Sequence, residues 1–523
     1  MYRILKADKD TYIQNKYIAG SRSLDSNVGN AGTIDLYKLY NETTIPASTS
    51  SIVEISRALI KFDYSKLQDL TGSILDFSTG SFSATVKLFD VYGGQTVPSN
   101  FTLELFPLSK SFDEGRGQDV ISYRDLDAAN WLTASLSPEV TWSQAGAGAT
   151  GSLGEDVDVI VSGNLGYGLV PLGVTQNFNR GDENLSIDVT RLVSASLAGI
   201  IPNNGFRISF STTEEENATT YFVKRFGTRH SFNKNLHPQL VVTYDDSIPD
   251  PGYKPFFDLS SSLYVYNIAQ GLHRNFFSGS TEVVGDNSLL MELISSKSVK
   301  IITSSWSPSH SQSINYLTNS LVYFSRSYSG SQASFGSLAQ IGIYKSPFNL
   351  SCVEDSELFS FVGDREEVLF DVFWKSLDST VQYAKNNVVF RKFHGHASNV
   401  MGTNLVANIT NLKHEYNSNE TQRLRVFASD YNQEVPGFKV PISLKSVIIP
   451  DMRWQLIKAW TREIIIPWGA ATKMSTDVDG MYFDFYFSDL ETNEVYEIEL
   501  LCGAGLGRDV TITNQGFRFK ILP

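Results

Sequence analysis

Apolar and polar residues alternate along most of this chain with the two-residue period of a half-buried β-strand. In Ser56-Arg57-Ala58-Leu59-Ile60-Lys61-Phe62-Asp63, Leu59 and Lys61 fall on one face and Ile60 and Phe62 on the other. Leu240, Val242 and Tyr244 share a face of Pro238-Gln239-Leu240-Val241-Val242-Thr243-Tyr244. That run breaks into Asp245-Asp246-Ser247-Ile248-Pro249-Asp250-Pro251-Gly252, which marks the last strand of a domain and a linker. A domain over residues 1–246 follows. Its core should hold Phe62, Leu59 or Ile60, Leu88, Phe206, Phe222 and Leu240.

Beyond the linker the same period recurs in shorter runs. Ser262–Tyr266, Ser298–Thr303 and Gln340–Tyr344, separated by Ser/Gly turns, predict a small β-domain over 247–350. Val368–Trp374 and Asn387–Phe393 predict strands of a third unit over 351–416, with a helical turn or loop between Ser376 and Tyr383. Gln422–Phe427, Met481–Phe487, Val495–Leu501 and Phe517–Leu522 predict a C-terminal sandwich of seven or eight strands over 417–523. Strand spacing there suggests an immunoglobulin-like sandwich, without the Cys…Trp…Cys spacing of an antibody domain. The fold class read from the pattern is all-β and multi-domain, and no fixed-period repeat points to a solenoid or propeller.

Composition sharpens this. Its 523 residues suit about three domains at roughly 100–200 residues each. Aromatics reach 12%, with 33 Phe and 24 Tyr, and charged residues only 19%. That balance favours pleated surfaces over disorder. A net charge of −13 with no basic run argues against wrapping nucleic acid. Cys352 and Cys502 are too few for a disulfide framework and read as buried apolar residues of a reducing compartment. Met1–Asp8 enters a strand pattern without an apolar stretch or small-residue cleavage site, so no signal peptide is expected. No run approaches the ~18 apolar residues of a membrane span.

Candidate chemistry is sparse. Asp8, Asp10, Asp25 and Asn27 form an acidic group able to offer oxygens to calcium at a sheet edge; the alternative is turn-forming Asp and Asn bonded to their own backbone. His394 and His396 fall on one strand face with His414 as a third metal ligand, against the alternative of polar loop histidines. Glu214-Glu215-Glu216 reads as a solvated loop. Gly503-Ala504-Gly505-Leu506-Gly507 precedes a strand pattern, whereas a phosphate cradle needs a helix there. No nucleophile–base pair stands out, and no catalytic residue or cofactor is assigned. The expected class is therefore not an enzyme.

Asp10-Thr11-Tyr12-Ile13, Asn27-Val28-Gly29, Arg57-Ala58-Leu59-Ile60-Lys61-Phe62-Asp63 and Pro238–Tyr244 carry a resemblance. Between them lie Ala84–Leu88, Asp188–Thr190, Gly205–Ile208 and Phe222–Arg225. Over residues 1–245 this order resembles the disaggregatase-related (DNRLRE) jelly-roll domains. The resemblance implies a β-sandwich of a kind set beside surface anchors or glycan-active enzymes, some members binding polysaccharide. The Gly-, Ala- and Ser-rich stretch from Gln144 to Gly168 has no counterpart in that pattern. A second resemblance, on Met1–Ile13, Val91–Phe101 and Phe222–Phe226, is to structural proteins of tailed bacteriophages. It implies a tail, baseplate or collar component. With cysteines of a reducing compartment and no signal peptide, the expectation is a virion protein made in the host cytoplasm, and its many candidate edge strands suggest multiple symmetric copies in contact with other virion proteins. The alternatives are a host-surface carbohydrate-binding protein and a head decoration or neck protein, with a glycan-cleaving enzyme last. Neither nucleic acid nor membrane is an expected partner.

Overall fold

The computed structural model describes residues 1–44, 51–69, 82–93, 97–121, 127–136, 139–164, 169–250, 255–270, 272–307, 312–335, 338–392, 405–430, 446, 448–449, 451–477, 479–503, 509–512 and 516–523. It is all-β. Among the described residues, α-helix is confined to Ser65–Gln68, Thr190–Leu197, Thr212–Glu216 and Ser356–Val362. None of the described helices is long and apolar enough to cross a membrane.

The strand Tyr2–Gln14 organises the first unit, a jelly-roll-like double sheet. Its first half pairs antiparallel with Gln239–Thr243, in the register Tyr2↔Thr243. Its second half pairs with Val53–Phe62, and the register shifts between Ala7 and Lys9. The irregularity at Asp8 turns the chain from one sheet into the other, the usual effect of a bulge. Phe206–Phe210, Phe101–Pro107 and Val174–Phe178 extend one sheet, while Ser83–Leu88 and Leu185–Asp188 extend the other. Thr33–Tyr40 and Tyr221–Gly227 join through the start of Val53–Phe62.

Both faces of Val53–Phe62 are covered. Ile60 and Phe62 lie in the main core with Leu88, Phe206, Leu240, Val242 and Tyr244. Leu59 lies on the opposite face, in a second core with Ile13, Phe112, Trp131, Trp142 and Val159. The Gly/Ala/Ser-rich stretch after Gln144 helps build that second core. Its buried Asp158 accepts backbone N–H groups from Ser143, Gln144 and Ala149 at 2.8, 2.9 and 3.1 Å. Phe222 departs from expectation: it is 41% exposed. The pairing of its strand shifts between Tyr221 and Lys224; Tyr221 and Phe226 lie in the main core, and Val223 is buried in a separate cluster with Tyr37 and Leu39. Lys224 is fully buried, bonded to Asp90 and to the Gly181 and Glu183 carbonyls.

The boundaries drawn at 350 and 416 both fall inside structural units. Ser261–Tyr266, Leu338–Phe348, Gln312–Phe335, Leu289–Ser307, Glu367–Lys375 and Gln382–Arg391 form one six-stranded sheet in that order. Its core runs across both predicted domains, from Phe257 and Met291 to Phe370, Trp374 and Phe390. Long-range pairing of Leu290–Ile294 with Asp371–Lys375 joins them, and no local sequence signal encodes such a pairing. The Ser376–Tyr383 connection is a turn in which Asp378 accepts from Ser376 and Thr380, not a helix.

Residues from Leu405 onward belong to the C-terminal sandwich. One sheet holds Leu405–Ile409, Thr421–Asp430, Gly480–Tyr486 and Ser475–Asp477; the other holds Glu415–Asn417, Arg518–Leu522, Val495–Gly503, Met452–Lys458 and Ile464–Ile466, with Asp509–Ile512 on its flank. Trp454 stacks on Phe483 at 4.8 Å and Tyr416 on Phe487 at 3.9 Å between them. Cys502 is buried there, whereas Cys352 is half-buried in the middle unit; both thiols are free.

The first and last units are joined. Ile4 packs into the C-terminal core. Arg3, 1% exposed, makes a two-pronged contact with Asp489 at 2.6 and 3.1 Å and lies over the Tyr486 ring at 3.7 Å. Such a desolvated pair fixes geometry more than it adds net stability.

Candidate functional site: an acidic corner and an outlying hairpin

Two of the four calcium candidates, Asp10 and Asn27, come to one corner of the first unit. Asp10 lies just past the bulge, wholly buried. Its Oδ2 accepts the Arg229 backbone N–H at 2.6 Å, and its own N–H donates to Glu114 Oε1 at 2.8 Å. Arg229 grips Glu114 with two guanidinium N–H groups, the Nε contact being 2.7 Å. His230 Nε2 stands 3.5 Å from Glu114 Oε1. Burial, with the Glu114 charge adding to it, raises the Asp10 carboxyl to about 7, although the Arg229 N–H works against the rise. The hydrogen bonds to Glu114 hold the Arg229 guanidinium above its ordinary range.

Asn27 has a different part. Its Nδ2 donates to the Glu114 and Ala129 carbonyls, both at 2.9 Å, and its Oδ1 accepts from Gly29 and Gly117. With its amide saturated in this way, it clamps the loop that carries Glu114. Gly117 passes so close that a Cβ there would meet the Asn27 carbonyl oxygen at 1.8 Å. Asp8 is exposed and Asp25 half-buried, and neither belongs to the group that brings Asp10, Glu114 and His230 together. Glu114 and His230 carried no sequence signal, since each stands alone in a loop far along the chain. His394 and His396 lie outside the described residues, and His414 is exposed, its carbonyl accepting from Lys520. Glu214–Glu216 is no solvated loop. It closes a short helix capped by Ser211, and Glu215 pairs with Arg57 at 2.6 Å.

The second feature is the hairpin of the middle unit. Leu289–Ser307 and Gln312–Phe335 are strands of 19 and 24 residues, against the usual 3–10. They pair with each other from Leu289↔Gly330 to Ser307↔Gln312. The neighbouring strand Glu367–Lys375 reaches no further than Ile294. From Ser295↔Phe324 outward no third strand pairs with them among the described residues, over roughly 40 Å at ~3.3 Å per residue. At the root Lys297 donates to the Ser360 and Phe361 carbonyls and Phe324 stacks on Phe361. At the root of this ribbon Leu321, Val322 and Tyr323 are 59%, 39% and 66% exposed.

A cleft of about 500 Å³ lies where the three units meet. Tyr266, His273, Arg423, Arg425, Asp477, Tyr482 and Asp484 are among its lining residues. Arg423 pairs with Asp484 at 2.8 and 3.0 Å, Arg425 with Asp477 at 3.0 Å, and the Arg423 guanidinium sits 4.0 Å from the Tyr482 ring centre.

No family model matches the chain. No curated protein matches it either. Among solved structures, the two tandem V-type regions of a v-region-containing chitin binding protein align at 9% identity and a TM-score of 0.13, over 52% of this chain and 97% of that one. Salmonella alpha-2-macroglobulin reacted with methylamine aligns over 98% of this chain at 9% identity and a TM-score of 0.13. A point mutant of that macroglobulin gives the same identity and TM-score. The chain spans 30% and 39% of the two macroglobulin chains. Likeness at this level carries no argument about this protein.

Proposed function

We propose that this protein is a structural component of a tailed-bacteriophage virion, a tail, baseplate or collar part that holds its place through protein–protein contacts. The observation that carries the reading is the hairpin arm. An isolated two-stranded ribbon is at best marginal in water, so a long one with unpaired edges is suited to gain its stability from a neighbour. Unpaired strand edges accept further strands, by which a repeated assembly can join copies or partners. Stable contacts of this kind bury at least ~1,200–2,000 Å². The test is to excise residues 296–323 and join Ser295 to Phe324 through an Asn-Gly turn. The variant is expected to fold and to be missing from purified particles; normal incorporation refutes the arm as the docking element.

A second reading, a host-surface carbohydrate binder, is favoured by the junction cleft. Paired Arg and Asp side chains beside Tyr266 and Tyr482 offer planar hydrogen-bonding groups next to aromatic surface. Binding of host polysaccharide that Arg423→Ala abolishes supports it; equal binding by the variant dismisses the cleft.

A further inference from the structure

We propose that Asp10, Glu114 and His230 form a binding site for one divalent transition-metal ion, zinc by the nature of the donors. Each offers a ligand atom, and all three atoms lie within 4.8 Å of one another. Independently of that grouping, Asp10 Oδ1 is buried without any hydrogen-bond partner, although its sister oxygen is engaged. A buried carboxylate oxygen left unsatisfied is rare, and an ion is one of the few things that satisfies it.

The donor set selects the metal. Calcium takes six to eight oxygens, whereas one imidazole nitrogen with two carboxylates is a set used for zinc and its neighbours. Three protein ligands leave a fourth position for water. The ligands come from three separate segments: the strand Tyr2–Gln14, the loop after Phe112, and the turn after Gly227. Asn27 holds the second of these in place, and Gly115, at φ +82°, turns it. An ion here would pin the bulge of the organising strand to two loops.

Arg229 is the competitor. Its guanidinium supplies positive charge to Glu114, and its Nε occupies a lone-pair direction on Oε1. The side chain is 35% exposed, so it is free to swing into solvent when an ion arrives. The cluster of Asp10, Glu114 and Arg229 carries a formal charge of −1 before the ion binds and +1 after.

The experiment is calorimetric titration of the full chain, stripped with EDTA, with zinc chloride and, in a separate run, with calcium chloride. The expected result is binding of one ion with a matching rise in melting temperature. His230→Ala and Asp10→Asn should each weaken it at least tenfold, and Arg229→Gln should strengthen it. His230 is 28% exposed, so His230→Ala tests the site even where Asp10→Asn does not fold. Absence of binding, stoichiometric binding unchanged in His230→Ala, or tighter binding of calcium than of zinc overturns the proposal.

Discussion

Tyr2–Gln14 and Leu289–Ser307 are both long strands of alternating residues, yet the structure treats them oppositely. The first has a partner on an edge wherever it runs: Gln239–Thr243 beside its first half and Val53–Phe62 beside its second. From Asp10 to Gln14 it is buried throughout. The second keeps a neighbour on both edges only at its root and then leaves the sheet as half of a ribbon. Local propensity is similar; the supply of neighbours is not. Sheet stability comes from cross-strand and cross-layer packing, so the same kind of strand makes a core in one place and an arm in the other.

Several measurements break or sharpen this contrast. The largest effect should come from Phe62→Ala, which empties a fully buried site beside the organising strand. A loss of about 3–5 kcal/mol is expected in denaturant unfolding; a wild-type midpoint would show that this strand is not the hub. Asp489→Ala leaves the Arg3 guanidinium buried and unpaired, and about 3–5 kcal/mol is expected again. That loss should appear as separation of the first and last units into two unfolding transitions, read by calorimetry. A single unshifted transition would mean the joint is dispensable.

A smaller effect depends on pH. Burial lowers the affinity of His237 and His273 for protons. His237 faces Lys6, Lys234 and Glu491, and His273 faces Arg423 and Asp484. Below the ordinary value of 6.5 the unfolded chain takes up protons that these folded histidines resist. Stability is therefore full above 6.5 and falls as pH drops through that value towards the depressed folded values. Replacing both by Gln should flatten the acid limb of a melting-temperature profile, and an unchanged profile would clear them. The smallest effect on stability should come from excising residues 296–323. With few neighbours to lose, the chain should unfold within about 1 kcal/mol of wild type. A large loss would mean that the ribbon is part of the middle core.

Alternation made most strands legible, because a half-buried strand writes its two faces into the residue order. Phe62, Leu88, Phe206 and Leu240 read correctly as core for that reason. Phe222 did not, because a register shift beside it moves the next residues out of phase. Glu215 was legible as charge but not as a partner of Arg57, since their pairing spans distant segments. Asp10 and Asn27 stood out as an acidic and amide group. Their division into a buried carboxylate and a loop clamp depends on Glu114, which the sequence places a hundred residues away.

By itself, then, the residue order determined the all-β class, the strand faces, and the break after Tyr244, all of them properties of neighbours along the chain. Only the tertiary structure decided that the six strands from Ser261–Tyr266 to Gln382–Arg391 share one sheet, that Ile4 belongs to the C-terminal core, and that Asp10, Glu114 and His230 meet. These are contacts between segments far apart in sequence, chosen by which surfaces can bury one another, and a local pattern carries no record of that choice.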